Sequence, residues 1–281
     1  MVDSELIVEV RKVELEILDE IHRVCTENNL KYSIAYGTLL GAVRHGGFIP
    51  WDDDIDVMMP REDFEKLVSI WNEKSLPGFI LQTTDTSKDY TNNFAKICKD
   101  NTTFLQFEEH LGKDFHKGIY VDIFPGDRLA DTELNRKKQF AACAINLLMS
   151  RRYTSGSGGI TEFAERLILS LTKRNYRKIQ SVTEEYFKKW NRCNTQKYIF
   201  PCTIRSCKKY YPSDMFDNLS LIKFEDKEYL AFEKFDEILR IAYGDYMELP
   251  PEEERVWKHH PLLIDFEHNF EDIESYKESL L

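Results

Sequence analysis

The chain has 281 residues, of which 42% are hydrophobic and 13% aromatic, and its formal net charge is −11. This composition supplies enough apolar material for a packed core and excludes a largely disordered chain, and the negative charge argues against nucleic acid as the main partner. The chain shows no apolar run of membrane-spanning length and starts with acidic residues rather than a signal peptide, so we expect a cytoplasmic protein.

The first part of the chain is predicted to mix helices and strands. Between Ser4 and Asn29, apolar residues recur at three- and four-residue steps, which indicates an amphipathic helix with Ser4 as its N-cap. The pattern then predicts a strand, a short helix, a strand and a helix, at 32–36, 39–44, 54–59 and 63–71. Four further strands are predicted at 79–82, 94–97, 102–105 and 118–124.

After Pro125 the pattern becomes mostly helical. Helices are predicted at 132–149 and 161–190, with a flexible break at 155–159, and a strand follows at 221–224. A last helix is expected over 226–243, ending at Gly244. We therefore predict an α+β fold with a mixed sheet core, flanking helices and a mostly helical C-terminal half.

Cysteines and basic clusters give weaker signals. The six cysteines show no paired spacing and are expected to be reduced structural thiols, although ligation of a metal by Cys193, Cys202 and Cys207 stays open. The basic clusters are expected to be solvated helix faces, with a patch for an anionic substrate or a membrane surface as the alternative. These clusters are Arg151–Arg152, Lys173–Lys178, and Arg205 with Lys208–Lys209.

An acidic run is the feature that best predicts chemistry. Asp52, Asp54 and Asp56 are spaced by two, so in an extended segment their carboxylates would share one face. Three like charges side by side repel one another unless a cation neutralises them, and oxygen ligands suit Mg²⁺. Asp53 would point to the other face and is a less suitable ligand.

Two other interpretations of this run are weaker. A merely solvated acidic loop is disfavoured because Ile55 and residues 57–59 draw the segment into the core, where spare carboxylates are costly. A calcium loop of the EF-hand kind requires a turn glycine where this chain has Val57, and the apolar continuation is strand-like.

Residues on either side of the run complete a site. Gly37 and Thr38 lie at a predicted strand-to-helix turn, where backbone N–H groups can approach a phosphate. Followed by an Asp-x-Asp strand, this is the arrangement of nucleotidyltransferase-fold enzymes. The third carboxylate is expected from Asp122, a lone acid in a predicted strand, with a surface-exposed strand end as the alternative.

Three blocks of the sequence resemble the LicD family. They are Tyr36 to Val57 (YGTLLGAVRHGGFIPWDDDIDV), Val121 to Pro125 (VDIFP), and Tyr243 to Glu252 (YGDYMELPPE) with His259–His260. LicD relatives are phosphotransferases with a nucleotidyltransferase-like core, and bacterial members are associated with moving phosphocholine from CDP-choline onto sugars of lipopolysaccharide or teichoic acid.

The resemblance implies roles for particular residues. Asp54, Asp56 and Asp122 would be catalytic and hold Mg²⁺ or Mn²⁺, expected as two ions, with Asp52 supporting or joining them. The phosphate side would be lined by Gly37, Thr38, Arg44 and His45, with a structural role at the end of a helix as the alternative for His45.

Three further side chains are candidates for binding the substrate. Lys96 lies inside a predicted strand and would reach a nucleotide phosphate, with an exposed edge position as the alternative. His259 and His260 are assigned a phosphate contact or a supporting role, with packing an equal alternative.

The resemblance also implies a reaction and partners. A sugar hydroxyl of a free, lipid-linked or polymeric glycan would attack the β-phosphate of the CDP-alcohol and release CMP, at the inner face of the membrane with peripheral membrane contact. Transfer of ribitol or glycerol phosphate, nucleotidyl transfer, and a non-catalytic nucleotide-binding module are the alternatives. We expect a catalytic core at 1–130, a helical acceptor-side region at 131–225 and a segment at 226–281 that completes the core.

Overall fold

Seven helices and eleven strands are described in the computed structural model, which covers residues 4–107, 113–156, 158–172, 174–193, 195–257 and 259–273. The side chain of Ser4 and residue Lys173 lie outside the described residues, so the predicted N-cap and one residue of a basic cluster stay predictions. The helices are α1 Ser4–Glu27, α2 Tyr36–His45, α3 Arg61–Lys74, α4 Glu133–Arg151, α5 Gly159–Thr172, α6 Tyr176–Lys188 and α7 Phe235–Tyr243.

The strands form one large mixed sheet and two small ones. They are β1 Ser33–Ile34, β2 Asp56–Pro60, β3 Phe79–Gln82, β4 Ala95–Lys99, β5 Thr103–Leu105, β6 Tyr120–Arg128, β7 Lys197–Ile199, β8 Tyr211–Pro212, β9 Leu219–Phe224, β10 Lys227–Phe232 and β11 Leu263–Asp265. The large sheet has the order β1-β2-β6-β4-β3, and β7 and β8 extend it from the far end of β6. The predicted α+β class with a mixed sheet is confirmed.

The central strands β2 and β6 run parallel, whereas β4 runs antiparallel to β6. Residues on one face of these strands, such as Val57, Ile97 and Ile123, are fully buried in the main core. Helices α1 and α3 supply the other side of this core, through residues such as Ile17 and Leu67. The alternate residues of the same strands face away from this core and carry the polar side chains described below.

The C-terminal part of the chain packs beside the large sheet through the two small sheets. β9 and β10 form a hairpin whose Phe232 N–H donates to Ser33 Oγ at 3.1 Å, next to β1. β11 pairs antiparallel with β5, so that Leu263 lies opposite Leu105. The segment between α7 and β11 is thereby held close to the centre of the sheet.

The prediction of one helix over 226–243 is wrong in its first half. Residues Lys227–Phe232 form β10, and only Phe235–Tyr243 is helical, ending before Gly244 as expected. Tyr229 and Ala231 alternate into the core, and the two-residue turn Glu225–Asp226 folds β10 back on β9. Burial of these alternate residues outweighed an apolar spacing that is also compatible with a helix.

Other differences concern element boundaries. The helix predicted at 161–190 is divided into α5 and α6, and the predicted break at Gly37–Thr38 is instead the first turn of α2. β6 continues past Pro125 to Arg128, because β7 pairs with its end.

A disulfide joins Cys143 of α4 to Cys207, so the prediction that all six cysteines are reduced is wrong for these two. They are separated by 64 residues, and packing of α4 against the short 3-10 helix Ser206–Lys208 brings them together. Spacing along the chain carries no signal for such a pair. Cys25, Cys98, Cys193 and Cys202 are free thiols. Among the described helices, none is both long and apolar enough to cross a bilayer.

Candidate active site

A row of charged side chains crosses the centre of the sheet. Asp56 of β2 is the direct partner of Asp122 on β6, and Asp122 is the partner of Lys96 on β4. Because partners in register project to the same face, the three side chains are neighbours. Lys96 Nζ lies 3.1 Å from Asp122 Oδ1 and 2.9 Å from the centre of the Tyr120 ring. The structure thus brings together the predicted residues Asp56, Asp122 and Lys96.

The rest of the acidic run lies in the loop before β2. Strand β2 begins only at Asp56, so the predicted alternation does not extend to residues 52–54. Asp52, Asp53 and Asp54 each present a carboxylate oxygen, and these oxygens lie within 4.8 Å of one another. The prediction that Asp53 turns away from the other acids is therefore wrong, because the loop is not extended.

Asp54 connects this acidic loop with the sheet. It lines a cavity of about 380 Å³ together with Asp56 and Asp122. Burial raises the pKa of Asp56 well above its usual range, and the charges of Asp54 and Asp122 raise it further. Burial also raises the pKa of Asp122, although the Lys96 ammonium opposes this rise. The cavity therefore concentrates negative charge that a cation would neutralise.

Helix α1 anchors the acidic loop. The Arg11 guanidinium donates to the carbonyl oxygens of Ile49 at 2.9 Å, Pro50 at 3.0 Å and Asp52 at 2.5 Å. One turn further along α1, Glu14 is almost fully buried, and its Oε2 has no hydrogen-bond partner among the described residues. Burial raises the pKa of Glu14, and the nearby charges of Asp54 and Asp53 add to that effect.

His259 completes the far side of the loop. Its Nδ1 lies 3.1 Å from Oδ1 of Asp53, a residue with only 2% of its surface exposed. Burial alone would lower the pKa of His259, but the hydrogen bond and charge of Asp53, with Asp54, raise it overall. The other oxygen of Asp53, Oδ2, has no hydrogen-bond partner among the described residues.

The first turn of α2 supports the loop from the other direction. Thr38 Oγ1 accepts a hydrogen bond from the backbone N–H of Asp56 at 2.8 Å, which positions the start of β2. A Cβ atom on Gly37 would lie 2.3 Å from Asp52 Oδ2, so only glycine lets this carboxylate pack against the helix. Tyr36, the first residue of α2, lines the 380 Å³ cavity, whereas Gly37 and Thr38 are not among its described lining residues.

The remaining wall of the cavity is aromatic and basic. Tyr36 and Phe94 both pack against Phe124, with ring centres 5.5 and 4.8 Å apart. The other described lining residues come from the 3-10 region and the end of α7: Cys202, Thr203, Arg205, Ser206, Lys209, Ala242 and Tyr243. Cations, aromatic rings and carboxylates therefore line the same cavity.

Three predicted residues have other surroundings. Arg44 donates to the carbonyl of Tyr246 at 2.9 Å and to His45 Nε2 at 3.0 Å. His45 is exposed with its ring 6.4 Å from Trp51, and His260 is exposed beside Trp257. None of the three is among the described residues lining the cavity.

Several residues that line or support this site were not predicted from the sequence, for identifiable reasons. Arg11 and Glu14 lie in an amphipathic helix, where charged residues normally face solvent, and Asp53 was assigned to the wrong face. Arg205 and Lys209 were noted only as basic clusters. One usable signal was present for α1: Glu14 stands between the apolar positions Val13 and Ile17, on the side that packs on the sheet.

Comparisons with known proteins identify the family of this chain. Residues 29–183 match the family described as LicD/FKTN/FKRP, nucleotidyltransferase domain. The Haemophilus influenzae protein named lipopolysaccharide cholinephosphotransferase LicD is 28% identical over 255 residues, which cover 88% of this chain and 93% of that protein. Uncharacterized proteins of Rickettsia typhi and Rickettsia prowazekii are 33% and 38% identical over 125 and 113 residues, in each case 38% of the relative's length and 44% and 40% of this chain.

Proposed function

Because the chain belongs to the LicD family, we propose that this transferase moves phosphocholine from CDP-choline to a hydroxyl group of a cell-surface glycan precursor. The acceptor oxygen forms a bond to the β-phosphorus, the bond from that phosphorus to the bridging oxygen breaks, and CMP leaves. The hydroxyl proton is released to a base. Lipopolysaccharide and teichoic acid precursors are both acceptors of the proposed class, and the reaction would take place at the inner face of the membrane.

The composition of the 380 Å³ cavity carries this proposal. The carboxylates of Asp54, Asp56 and Asp122 line it together with Arg205 and Lys209, whose Nζ also donates to the Ala242 carbonyl. The two cations suit the diphosphate of the donor, and aromatic faces attract a quaternary ammonium group such as that of choline. The aromatic residues that line the cavity are Tyr36, Phe94, Phe124 and Tyr243.

A divalent cation fits the chemistry of the carboxylates. The carboxylate oxygens are hard donors, which suit Mg²⁺ or Mn²⁺. Two further carboxylate oxygens, Asp53 Oδ2 and Glu14 Oε2, are buried without hydrogen-bond partners among the described residues. We propose Asp52, Asp54, Asp56 and Asp122 as the residues that hold two such ions. When bound, the ions would neutralise the developing phosphate charge and lower the pKa of the acceptor hydroxyl.

The side chains of the protein then have separate tasks. Asp122 is positioned to accept the acceptor proton, and Lys96, 3.1 Å away, favours its ionised form. The N-terminus of α2 and the cations Arg205 and Lys209 orient the donor phosphates. Since phosphoryl transfer depends chiefly on positioning and charge stabilisation, no covalent intermediate with the protein is required.

Ligand-induced stabilisation combined with product analysis tests the proposal. The chain is melted with Mg²⁺ and, in turn, CDP-choline, CDP-ribitol, CDP-glycerol and CTP, and the products formed with a sugar acceptor are identified. A ligand at about a hundred times its dissociation constant should stabilise the fold by roughly 2.7 kcal/mol. We expect this for CDP-choline, with loss of the shift in Asp54→Ala and no loss in Asp85→Ala, an exposed aspartate.

Each alternative has its own outcome in this experiment. A shift with CDP-ribitol or CDP-glycerol alone would assign a different alcohol. Pyrophosphate formed from CTP would identify a nucleotidyltransferase. Binding without products from any acceptor tested, in wild-type protein, would favour a non-catalytic module.

A further inference from the structure

A second, larger cavity of about 500 Å³ is lined by Lys96 and Tyr120, and Lys96 forms an ion pair with the Asp122 carboxylate. We infer that this cavity, the acceptor cavity, binds the glycan acceptor, and that the acceptor carries a phosphate group close to the sugar that is modified. The inference rests on the proposed function, because it assigns the second substrate of the same reaction.

The position of the cavity is the first argument. Lys96 lines the acceptor cavity, whereas Asp122, its ion-pair partner at 3.1 Å, lines the donor cavity described above. Transfer to a hydroxyl requires the attacking oxygen and the leaving CMP oxygen to lie on opposite sides of phosphorus. Substrates in two cavities linked by the Lys96–Asp122 ion pair would lie next to each other, as this reaction requires.

The charge of the cavity is the second argument. Among the described residues, five lysines and arginines and one carboxylate, that of Asp89, line this cavity, in a chain whose net charge is −11. Three of the cations are already engaged. Lys96 pairs with Asp122, Lys117 Nζ lies 3.0 Å from Glu271 Oε1, and Arg151 Nη2 lies 2.5 Å from Glu165 Oε1. Lys113 and Arg152, at the rim, are exposed to an incoming anion.

Arg152 is well placed for this role. It caps the C-terminus of α4, and its guanidinium lies 3.7 Å from the centre of the Tyr176 ring. Stacking on a ring holds a guanidinium in a fixed plane, which leaves its N–H groups available for a phosphate. The adjacent Tyr153 is 58% exposed and lines the same cavity.

Aromatic rings form much of the remaining wall. Phe115 packs edge-on against Tyr90, and Tyr120 packs edge-on against Phe104, with ring centres 6.4 and 5.9 Å apart. Rigid rings with a few polar groups are typical of ligand cavities, and they offer flat apolar surfaces to sugar rings. A phosphorylated sugar therefore matches both the cations and the aromatic rings that line the cavity.

The donor is assigned to the smaller cavity for a separate reason. The proposed metal-binding carboxylates Asp54, Asp56 and Asp122 and the N-terminal residue of α2 all line that cavity. A nucleotide in the acceptor cavity would place its diphosphate away from these groups. If the inference is correct, CMP and a sugar phosphate bind together rather than in competition.

Calorimetry with small probes tests the assignment without turnover. N-Acetylglucosamine 1-phosphate, galactose 1-phosphate and their unphosphorylated sugars are titrated into the protein with and without saturating CMP and Mg²⁺. At least one sugar phosphate should bind, its dissociation constant should change less than twofold with CMP, and the neutral sugar should bind at least tenfold more weakly. Arg152→Gln and Lys113→Gln should each weaken binding at least fivefold.

Arg166→Gln is the matched control, because Arg166 is an exposed helical arginine paired with Glu162 outside the cavity. The inference is overturned if CMP displaces the probe, if the cavity variants bind it like wild type, or if no sugar phosphate binds to a protein that binds CDP-choline. Probe binding that meets these criteria in a protein that does not bind CDP-choline would instead refute the proposed donor.

Discussion

At the scale of single residues, the carboxylate of Asp56 is expected to destabilise the metal-free fold. Burial and the charges of Asp54 and Asp122 raise its pKa well above the ordinary value of 3.8. A group whose pKa is raised on folding binds more protons in the folded state, so the free energy of unfolding falls as pH rises above 3.8 through the raised pKa.

Asp56→Asn should therefore make the metal-free protein more stable at neutral pH. We expect a gain on the order of 1 kcal/mol, a usual size for the effect of a point substitution, together with loss of transfer activity. Urea unfolding in EDTA between pH 4.5 and 8 measures both the gain and its pH dependence. Asp85→Asn, at an exposed position, should leave the curve unchanged, and an Asp56→Asn protein that is less stable than wild type throughout would contradict this explanation.

Site residues with a local sequence signal were predicted better than site residues whose role depends on tertiary packing. Asp56, Asp122 and Thr38 were recognised from a strand pattern and a turn, and the structure places all three around one site. The pairing of Asp53 with His259 joins residues 206 positions apart, and no pattern in either segment indicates it.

At the scale of elements, two glycines of α2 are expected to have different tasks. A Cβ on Gly37 would meet only the Asp52 carboxylate, at 2.3 Å, whereas a Cβ on Gly41 would meet the backbone of Gly47 at 2.4 Å and of Ile49 at 3.2 Å. A displaced carboxylate alters the site, but a displaced backbone alters the packing of α2 on its following loop.

Gly37→Ala should reduce transfer at least tenfold, because Asp52 must move, and leave the melting temperature near that of wild type. Gly41→Ala should lower stability by about 1–3 kcal/mol, as expected for overpacking. Thermal melts and initial rates on both proteins provide the comparison, and each variant serves as the control for the other. Equal loss of stability in the two proteins would show that Gly37 also supports the fold.

The elements also differ in how well their type could be predicted from the sequence. The strand at 79–82 was predicted with its observed bounds, because an apolar run of this length between turn residues is too short for a helix. Residues 227–232 were assigned to a helix, since their apolar spacing fits either period and the decision depends on the partner strand β9. Local periodicity cannot distinguish the two when the partner is not yet known.

At the scale of the whole molecule, the site is assembled from distant parts of the chain. The pairing of β11 with β5 forms one of the two small sheets and brings the C-terminal segment back to the first half of the chain. His259, just before β11, reaches Asp53. The 3-10 region that contributes Arg205 is tied to α4 by the Cys143–Cys207 disulfide. The division into 1–130, 131–225 and 226–281 stays a prediction, although residues from all three parts line the two cavities or contact the carboxylates.

A buried ion pair connects the sheet with the helical region. Arg61, at the start of α3, is 4% exposed and forms two hydrogen bonds with Asp127 at the end of β6, at 3.0 and 2.7 Å. Asn191 also donates to Asp127 at 2.7 Å, and Glu184 of α6 lies 3.2 Å from Arg61. One ion pair therefore joins helix α3, strand β6, helix α6 and the segment after α6.

Removing one member leaves the other charge buried without its partner, so Arg61→Met should cost about 3–5 kcal/mol of stability. Lys137→Met is the control: it breaks the exposed pair with Glu133 and should cost less than about 0.5 kcal/mol. Urea unfolding measures both, and the double variant Arg61→Met with Asp127→Leu should recover part of the loss, because no unpaired charge remains between them. If Arg61→Met were no more costly than Lys137→Met, the connection between the sheet and the helical region would have to depend on apolar packing instead.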